Sequence, residues 1–339
     1  MKKNSLTFSD LFCGIGGFRI ALDNLGMDCV YACDKDEFVS EIYENNFGYD
    51  PFKDIKEEEK SKIPDHNILC GGFPCQPFSI GGKRKGFDEK RGTLFFDILE
   101  VLDEKNPEAF LLENVDGLTS HQNGETLEII KTKLEERGYS VTTKVLNAQH
   151  FSLPQTRKRL FIVGFKKELN IQFRENTDEK RLDEFNNDIN VFKFPKGSEP
   201  AHNLSEFLDS NVEDHGLTET AIKHVKKHVS QYKDKDKYDP EYPMIISEIR
   251  PSRCTIRNDG TVPTLTARMG TGGNNVPALY SELRKLTVRE VIRLQGFPEW
   301  FNIRENYYKS YKAVGNSVPV PMVQAIAKNM KECLIKAGV

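Results

Sequence analysis

LTFSDLFCGIGGFRIALDNLGMDCVYACDKD, residues 6–36, sets the architecture. A short apolar run at 6–8 gives way to a glycine turn in which Gly14, Gly16 and Gly17 run Gly-x-Gly-Gly. Phe18, Ala21, Leu22 and Leu25 then recur at helical spacing, with Gly26 as a C-cap. A second apolar run at 29–32 ends on Cys33 and Asp34. Strand, turn, helix and strand in this order form the repeating unit of open parallel sheets. The glycines are not spaced as in the GxGxxG of dinucleotide sites, yet they let a ligand approach the backbone beside a helix N-terminus. Asp34 stands where a carboxylate can accept two ribose hydroxyls. The plain alternatives are a simple glycine turn and, for Asp34, a helix N-cap. Together they predict a nucleoside-bearing ligand over the strand ends.

The same alternation continues outward. Apolar runs at 67–70, 109–112, 141–146 and 160–163 read as further strands. Helical stripes lie among them: Phe38, Val39, Ile42 and Tyr43; then Leu94, Phe95, Ile98, Leu99 and Leu102; then Leu127, Ile130 and Leu134, closed by Gly138. The expectation is an α/β fold with a mostly parallel sheet covered on both faces. From about 170 to 280 charges dominate, as at 178–181 and 233–237, and the periodicity fades. This stretch reads as a smaller, loop-rich unit. Order returns with Thr287 and Glu290, a capping box, and with an amphipathic helix from Pro321 carrying Val323, Ile326, Met330 and Leu334.

The 339 residues carry 38% hydrophobic and 29% charged side chains, as in a soluble globular protein. No apolar run approaches the roughly 20 residues that span a bilayer, and Met1-Lys2-Lys3-Asn4 leads into a strand with no signal peptide. Seven cysteines without framework spacing fit the reducing cytoplasm. A net charge of −3 means that any nucleic-acid surface is a local basic patch.

Four strand-end features carry chemistry. Cys75 sits in GGFPCQPFS, residues 71–79, where Pro74 and Pro77 stiffen the backbone around one thiol. A buried structural cysteine is the plain reading, and a positioned nucleophile the sharper one. Beyond it, the flexible basic stretch 81–87, with Lys83 and Arg84, reads as a loop touching phosphates or as a solvated loop. Glu113 and Asn114 end the run 110–112; a carboxyl against apolar walls can hold its proton and donate it, or can simply cap. Arg157 and Arg159, two apart on an extended segment, point to one face and toward an anionic or carbonyl-bearing ligand, unless that edge is merely solvated. His224 and His228 lie among lysines, and Cys70 and Cys75 lack a second ligand pair, so no metal site is expected.

These motifs, in this order, resemble the bacterial cytosine-C5 DNA methyltransferases that use S-adenosylmethionine. The resemblance covers FCGIGG at 12–17, GFPCQP at 72–77, ENV at 113–115, QTRKR at 155–159, Arg289-Glu290 with LQGFP at 294–298, and GNSVP at 315–319. It implies a Rossmann-like methyltransferase sheet formed by residues 1–168 and 284–339, with a smaller loop-rich target-recognition domain at 170–283. It implies that Phe12, Gly14, Ile15, Gly16, Asp34, Asp54, Ile55, Pro74, Leu94 and Asn316 line the pocket for S-adenosylmethionine and its product S-adenosylhomocysteine. Lys35 departs from the aromatic residue common at its position. Cys75 is implied as the nucleophile toward C6 of a flipped cytosine and Glu113 as the acid at N3. Arg159 is implied as holding O2, and Arg157 as anchoring phosphate and lowering the thiol pKa. Ser79, Lys83, Arg84, Gln155, Thr264 and Leu265 are implied as nucleic-acid contacts. The expected partner is double-stranded DNA, with a monomeric enzyme in the bacterial cytoplasm, either paired with a restriction endonuclease or solitary. A tRNA-directed relative would carry a Cys-Phe-Thr element in the recognition region, and none is present. A nicotinamide oxidoreductase and a non-catalytic DNA-binding relative are the other readings; intact Cys75 and Glu113 speak against the last.

Overall fold

The computed structural model describes residues 5–73, 94–174, 190–201, 203–232, 242–272, 275–304 and 306–339. Its main sheet contains β1 (Thr7–Leu11), β2 (Asp28–Cys33), β3 (Ile68–Gly72), β4 (Ala109–Val115), β5 (Tyr139–Asn147) and β6 (Lys158–Lys166), in the order β2-β1-β3-β4-β6-β5. β1 pairs in parallel with β2 and β3, and β3 with β4. β6 runs antiparallel to both β4 and β5. The sheet is mostly parallel, as expected, and β6 is its one reversed strand. Residues 148–157, which join β5 to β6, are too few for a crossover helix, so the chain reverses.

Side-chain alternation decides which helices cover which face. Ala109 and Leu111 of β4 join one core with α1 (Gly17–Asp23) and α2 (Glu37–Phe47). Phe110 and Leu112 join the other with α3 (Leu94–Lys105) and α4 (Glu125–Glu135). Successive residues of a strand face opposite ways, so continuous apolar runs demand cover on both sides.

Beyond a short parallel pair, β7 (Gln172–Phe173) and β8 (Val191–Phe192), the middle of the chain builds a second sheet. Helix α5 (Glu219–Ser230) packs Ala221, Val225 and Val229 onto Met244, Ile246 and Ala278. The strands are β9 (Ile245–Ser247), β10 (Thr255–Arg257), β11 (Ala278–Leu279) and β12 (Arg284–Lys285), ordered β10-β9-β11-β12. The middle is less separate than its composition suggests. Val262, Leu265 and Met269 are buried in the same core as Phe8 and Ile15 of the main sheet's side. Residues around 262–269 therefore belong physically to the first body, although they lie inside the 170–283 span.

The C-terminal part returns to that body through α6 (Val288–Arg293), α7 (Tyr307–Asn316) and α8 (Val320–Lys336). Thr287 Oγ1 accepts from the Glu290 amide at 3.0 Å, and the Glu290 carboxylate accepts from the Thr287 amide at 2.7 Å, so the capping box forms. The same carboxylate, fully buried, is gripped by both Arg284 Nη atoms at 2.8 Å. Helix α8 packs along α1, and the preceding turn presses Val318 against Gly17. No helix of the described residues is long and apolar enough to cross a membrane.

Asp10, in the middle of this packing, is fully buried on β1. Neither of its carboxyl oxygens has a hydrogen-bond partner among the described residues. Burial raises its pKa well above the ordinary carboxylate value, with nearby Arg19 pulling weakly the other way. In the unfolded chain this carboxyl ionises near 3.8, whereas the folded protein keeps the proton to higher pH. Its contribution to stability is therefore full below the ordinary value and falls as pH rises toward the folded one. Asp10→Asn does not titrate. Its unfolding free energy is expected to gain on the parent protein's by about 1.4 kcal/mol per pH unit across that window. Denaturant unfolding at about pH 5 and about pH 8 measures this, and a constant gap would contradict it. The C-terminal return has its own test. A methyl on Gly17 would stand 2.7 Å from Val318 Cγ2. Gly17→Ala is expected to cost about 1–3 kcal/mol by overpacking, with Val318→Ala in the same chain recovering much of it. An unaffected single variant would show that the contact gives way freely.

Candidate active site

The C-terminal ends of β1 to β4 and the start of β6 converge on a cavity of about 350 Å³. Open α/β sheets bind ligands at this edge because the loops diverge there. The glycine turn contributes Phe12, Cys13 and Gly14, and the end of β2 contributes Asp34. Gly72 and Phe73 follow from β3, Glu113 to Val115 from β4, and Arg157 and Arg159 from the start of β6. Gly315, Asn316, Ser317 and Val318 close the far side.

Asp34 organises one wall of the cavity. Its Oδ2 accepts the Gly14 amide and its Oδ1 the Asp36 amide, both at 2.9 Å. It thus ties the glycine turn to the start of α2, while Asp36, not Asp34, caps that helix through the Phe38 amide at 3.1 Å. Burial raises the Asp34 pKa, and the two amides offset part of that shift. A smaller cleft of about 140 Å³ shares Phe12 and Asp34 with the cavity and adds Lys35, Lys53, Asp54, Ile55 and Leu94. Phe12, Gly14, Asp34 and Asn316 therefore border the cavity, and Asp54, Ile55 and Leu94 its side cleft. Ile15 and Gly16 do not. The Ile15 side chain is buried in the core, and Gly16, at φ 87°, forms the N-cap of α1 against the Phe47 ring. Those two residues build the turn and leave its surface to Gly14.

The opposite wall carries the titratable pair. Antiparallel pairing sets Glu113 opposite Phe161 and Val115 opposite Arg159. Directly opposed residues share a face, so Glu113 and Arg159 are diagonal neighbours. Arg159 Nε meets Glu113 Oε1 at 2.9 Å. Burial nevertheless holds the Glu113 pKa above its ordinary value, against the pull of Arg159 and then Arg157. The site therefore contains a carboxyl that holds its proton more tightly than usual, beside a guanidinium. Asn114, whose function the sequence did not reveal, donates its Nδ2 to the Phe73 carbonyl at 2.9 Å and so locks the end of β3 to the end of β4.

Three expected contacts are reassigned by burial. Gln155 is fully buried; its Nε2 donates to the Leu294 carbonyl at 2.8 Å and its Oε1 accepts the Leu265 amide at 3.1 Å. Leu265 is fully buried as well, so neither presents itself to a nucleic acid here. The Arg157 guanidinium is turned onto the carbonyls of Leu265, Gly315 and Ser317, which leaves it unsuited to a phosphate. Thr264, less buried, donates its hydroxyl to the Thr156 carbonyl at 2.6 Å. Arg250 bonds Asn275 at 2.7 Å, and Arg253 and Arg257 pair with Glu248 and Asp259. Pro74, Cys75, Ser79, Lys83 and Arg84 lie outside the described residues.

Known proteins resemble this chain along nearly its whole length. The family pattern described as C-5 cytosine-specific DNA methylase matches residues 6–332. The Type II methyltransferase M.HhaI of Haemophilus parahaemolyticus is 37% identical over 97% of this chain and 95% of its own. The Type II methyltransferase M.HaeII of Haemophilus aegyptius is 40% identical over 95% and 91%. Among solved structures, a mutant DNMT2 of Spodoptera frugiperda superposes with a TM-score of 0.71 at 19% identity, covering 96% of this chain and 99% of that one. A putative DNA modification methyltransferase encoded within an E. coli prophage gives 0.68 at 21% identity, covering 98% and 100%. The structural likenesses bear on the fold alone, and they bear out the Rossmann-like methyltransferase sheet. With the family pattern running nearly end to end and the relatives aligned over almost their full lengths, the chain belongs to the C-5 cytosine-specific DNA methylases.

Proposed function

We propose that this DNA cytosine-C5 methyltransferase uses S-adenosylmethionine to methylate a cytosine flipped out of a short duplex sequence, through a transient bond between Cys75 and C6. The observation that carries the reading is Glu113, a buried carboxyl with a raised pKa, 2.9 Å from Arg159 in a cavity at the strand ends.

The cavity suits the methyl donor in shape and in chemistry. Asp34 keeps lone pairs for ribose hydroxyls while its oxygens hold two backbone amides. Phe12, Ile55 and Leu94 give a side cleft apolar walls for a purine, and Asp54 gives it an acceptor. Asn316 would hold the amino-acid end. Bound there, S-adenosylmethionine supplies an electrophilic methyl on a sulfonium.

Cytosine C5 is inert while the ring is aromatic. The Cys75 thiolate would attack C6, forming an S–C bond and pushing an electron pair toward N3. Glu113 would give N3 its proton, and Arg159 would hold O2. C5, now enamine-like, takes the methyl. Loss of the C5 proton to water then expels Cys75 and restores the ring, and Glu113 recovers its proton from N3. The reacting atoms are stacked inside a duplex, so extrusion of the base costs a few kcal/mol. Ser79, Lys83 and Arg84 would contact the nucleic acid. The sheet-and-helix unit within 170–283 would read the target, with arginines such as Arg253 reaching base edges or phosphates. One cavity serves one extruded base, so the enzyme would act as a monomer in the cytoplasm. The type II naming of its relatives supports pairing with a restriction endonuclease.

Sequencing methylated cytosines in DNA from expressing cells identifies the target. Purified protein is then expected to methylate that duplex and not tRNA; transfer to tRNA alone would overturn the substrate. A duplex with 5-fluorocytosine at the target should trap a covalent adduct, and Cys75→Ser should abolish transfer. An active Cys75→Ser enzyme would sink the covalent route. Glu113→Gln is expected to lower kcat by roughly 10²- to 10⁴-fold. Because the acid must be protonated, parental activity should also decline as pH rises through the raised Glu113 value, and the variant should lack that limb.

A further inference from the structure

Arg157 has no step in the chemistry above, yet it ranks among the largest fully buried side chains. Its Nη1 donates to the Leu265 carbonyl. Its Nη2 donates to the carbonyls of Gly315 at 3.1 Å and Ser317 at 2.6 Å. Its Nε has no partner among the described residues. Among the described residues no carboxylate pairs with it directly, and burial followed by repulsion from Arg159 depresses its pKa. The cation is held by carbonyl dipoles from two segments remote in sequence.

Those segments have different neighbours. Gly315 and Ser317 bracket Asn316 on the cavity rim. Leu265 sits in a stretch that Gln155 and Thr156 stitch to the approach to β6, and it does not line the cavity. The two segments also meet backbone to backbone: a methyl on Gly315 would stand 2.2 Å from the Thr266 carbonyl carbon. If either segment opens, buried guanidinium donors lose their acceptors, at about 1–3 kcal/mol for each unsatisfied group. Opening of one therefore favours opening of the other, and ordering one orders both.

We propose that Arg157 is a positioning residue that couples the 315–317 rim of the cavity to residues 264–269. A ligand seated against Asn316 then firms the recognition-side segment before a duplex arrives. The proposal rests on the cavity being the S-adenosylmethionine site.

Hydrogen exchange of the full chain with and without S-adenosylhomocysteine tests it. In the parent protein, saturating ligand is expected to slow amides at both 313–318 and 264–269, the latter by about fivefold or more, the low end for linked sites. In Arg157→Met the slowing at 313–318 should persist while that at 264–269 is lost. General destabilisation would instead speed exchange everywhere without removing one ligand-dependent difference. If Arg157→Met does not fold, Arg157→Lys, which keeps the charge without the planar fork, takes its place with the same readings. Slowing confined to 313–318 in the parent, or undiminished at 264–269 in the variant, overturns the coupling. No slowing anywhere in the parent overturns the cofactor reading instead.

Discussion

Glu113 and Arg159 meet only because β6 enters the sheet against the direction of β4. A parallel strand at that place would carry Arg159 to the opposite edge, away from the glycine turn and Asp34. With the reversal, the last residues of β4 and the first of β6 face the cavity together, at 2.9 Å. The pair is then caught between two opposed forces. Burial favours the neutral acid and the guanidinium favours the carboxylate, and burial prevails. The carboxyl therefore holds its proton more tightly than usual, beside a fixed cation.

Much of this was legible before any coordinates. Continuous apolar runs located the strands, and period-3.6 stripes the helices that cover both faces of the sheet. Glycines in Gly-x-Gly-Gly between a strand and a helix, with Asp34 following, marked the ligand edge. The spacing of Arg157 and Arg159 marked two side chains on one face. It did not tell their surroundings apart: Arg159 reaches Glu113, whereas Arg157 is enclosed by carbonyls from residues over a hundred positions away.

Long-range enclosure is what local pattern cannot express. Gln155 looks like a polar surface residue in sequence, and it is fully buried because Leu265 and Leu294 supply its partners. The strand reversal escaped the pattern for a related reason: the length of the 148–157 connection was the available signal, and apolar periodicity is blind to strand direction. Composition made residues 170–283 look separate, but Val262, Leu265 and Met269 carry apolar side chains into the core of the other body. The place of Asn114 is not legible in its motif, since its lock on Phe73 joins two strands that only the fold makes adjacent.

The return of the Val318 turn onto Gly17 bears on how the protein matures on the ribosome. A nascent chain that has emerged only as far as α6 already owns the glycine turn, Asp34, Glu113 and both arginines. It lacks the 315–318 rim, so its ligand edge is open on one side and Arg157 has not met two of its three carbonyls. Assembly of a finished pocket is thereby deferred until the middle of the chain has been made. The order of synthesis thus sets the earliest moment at which the cavity can close.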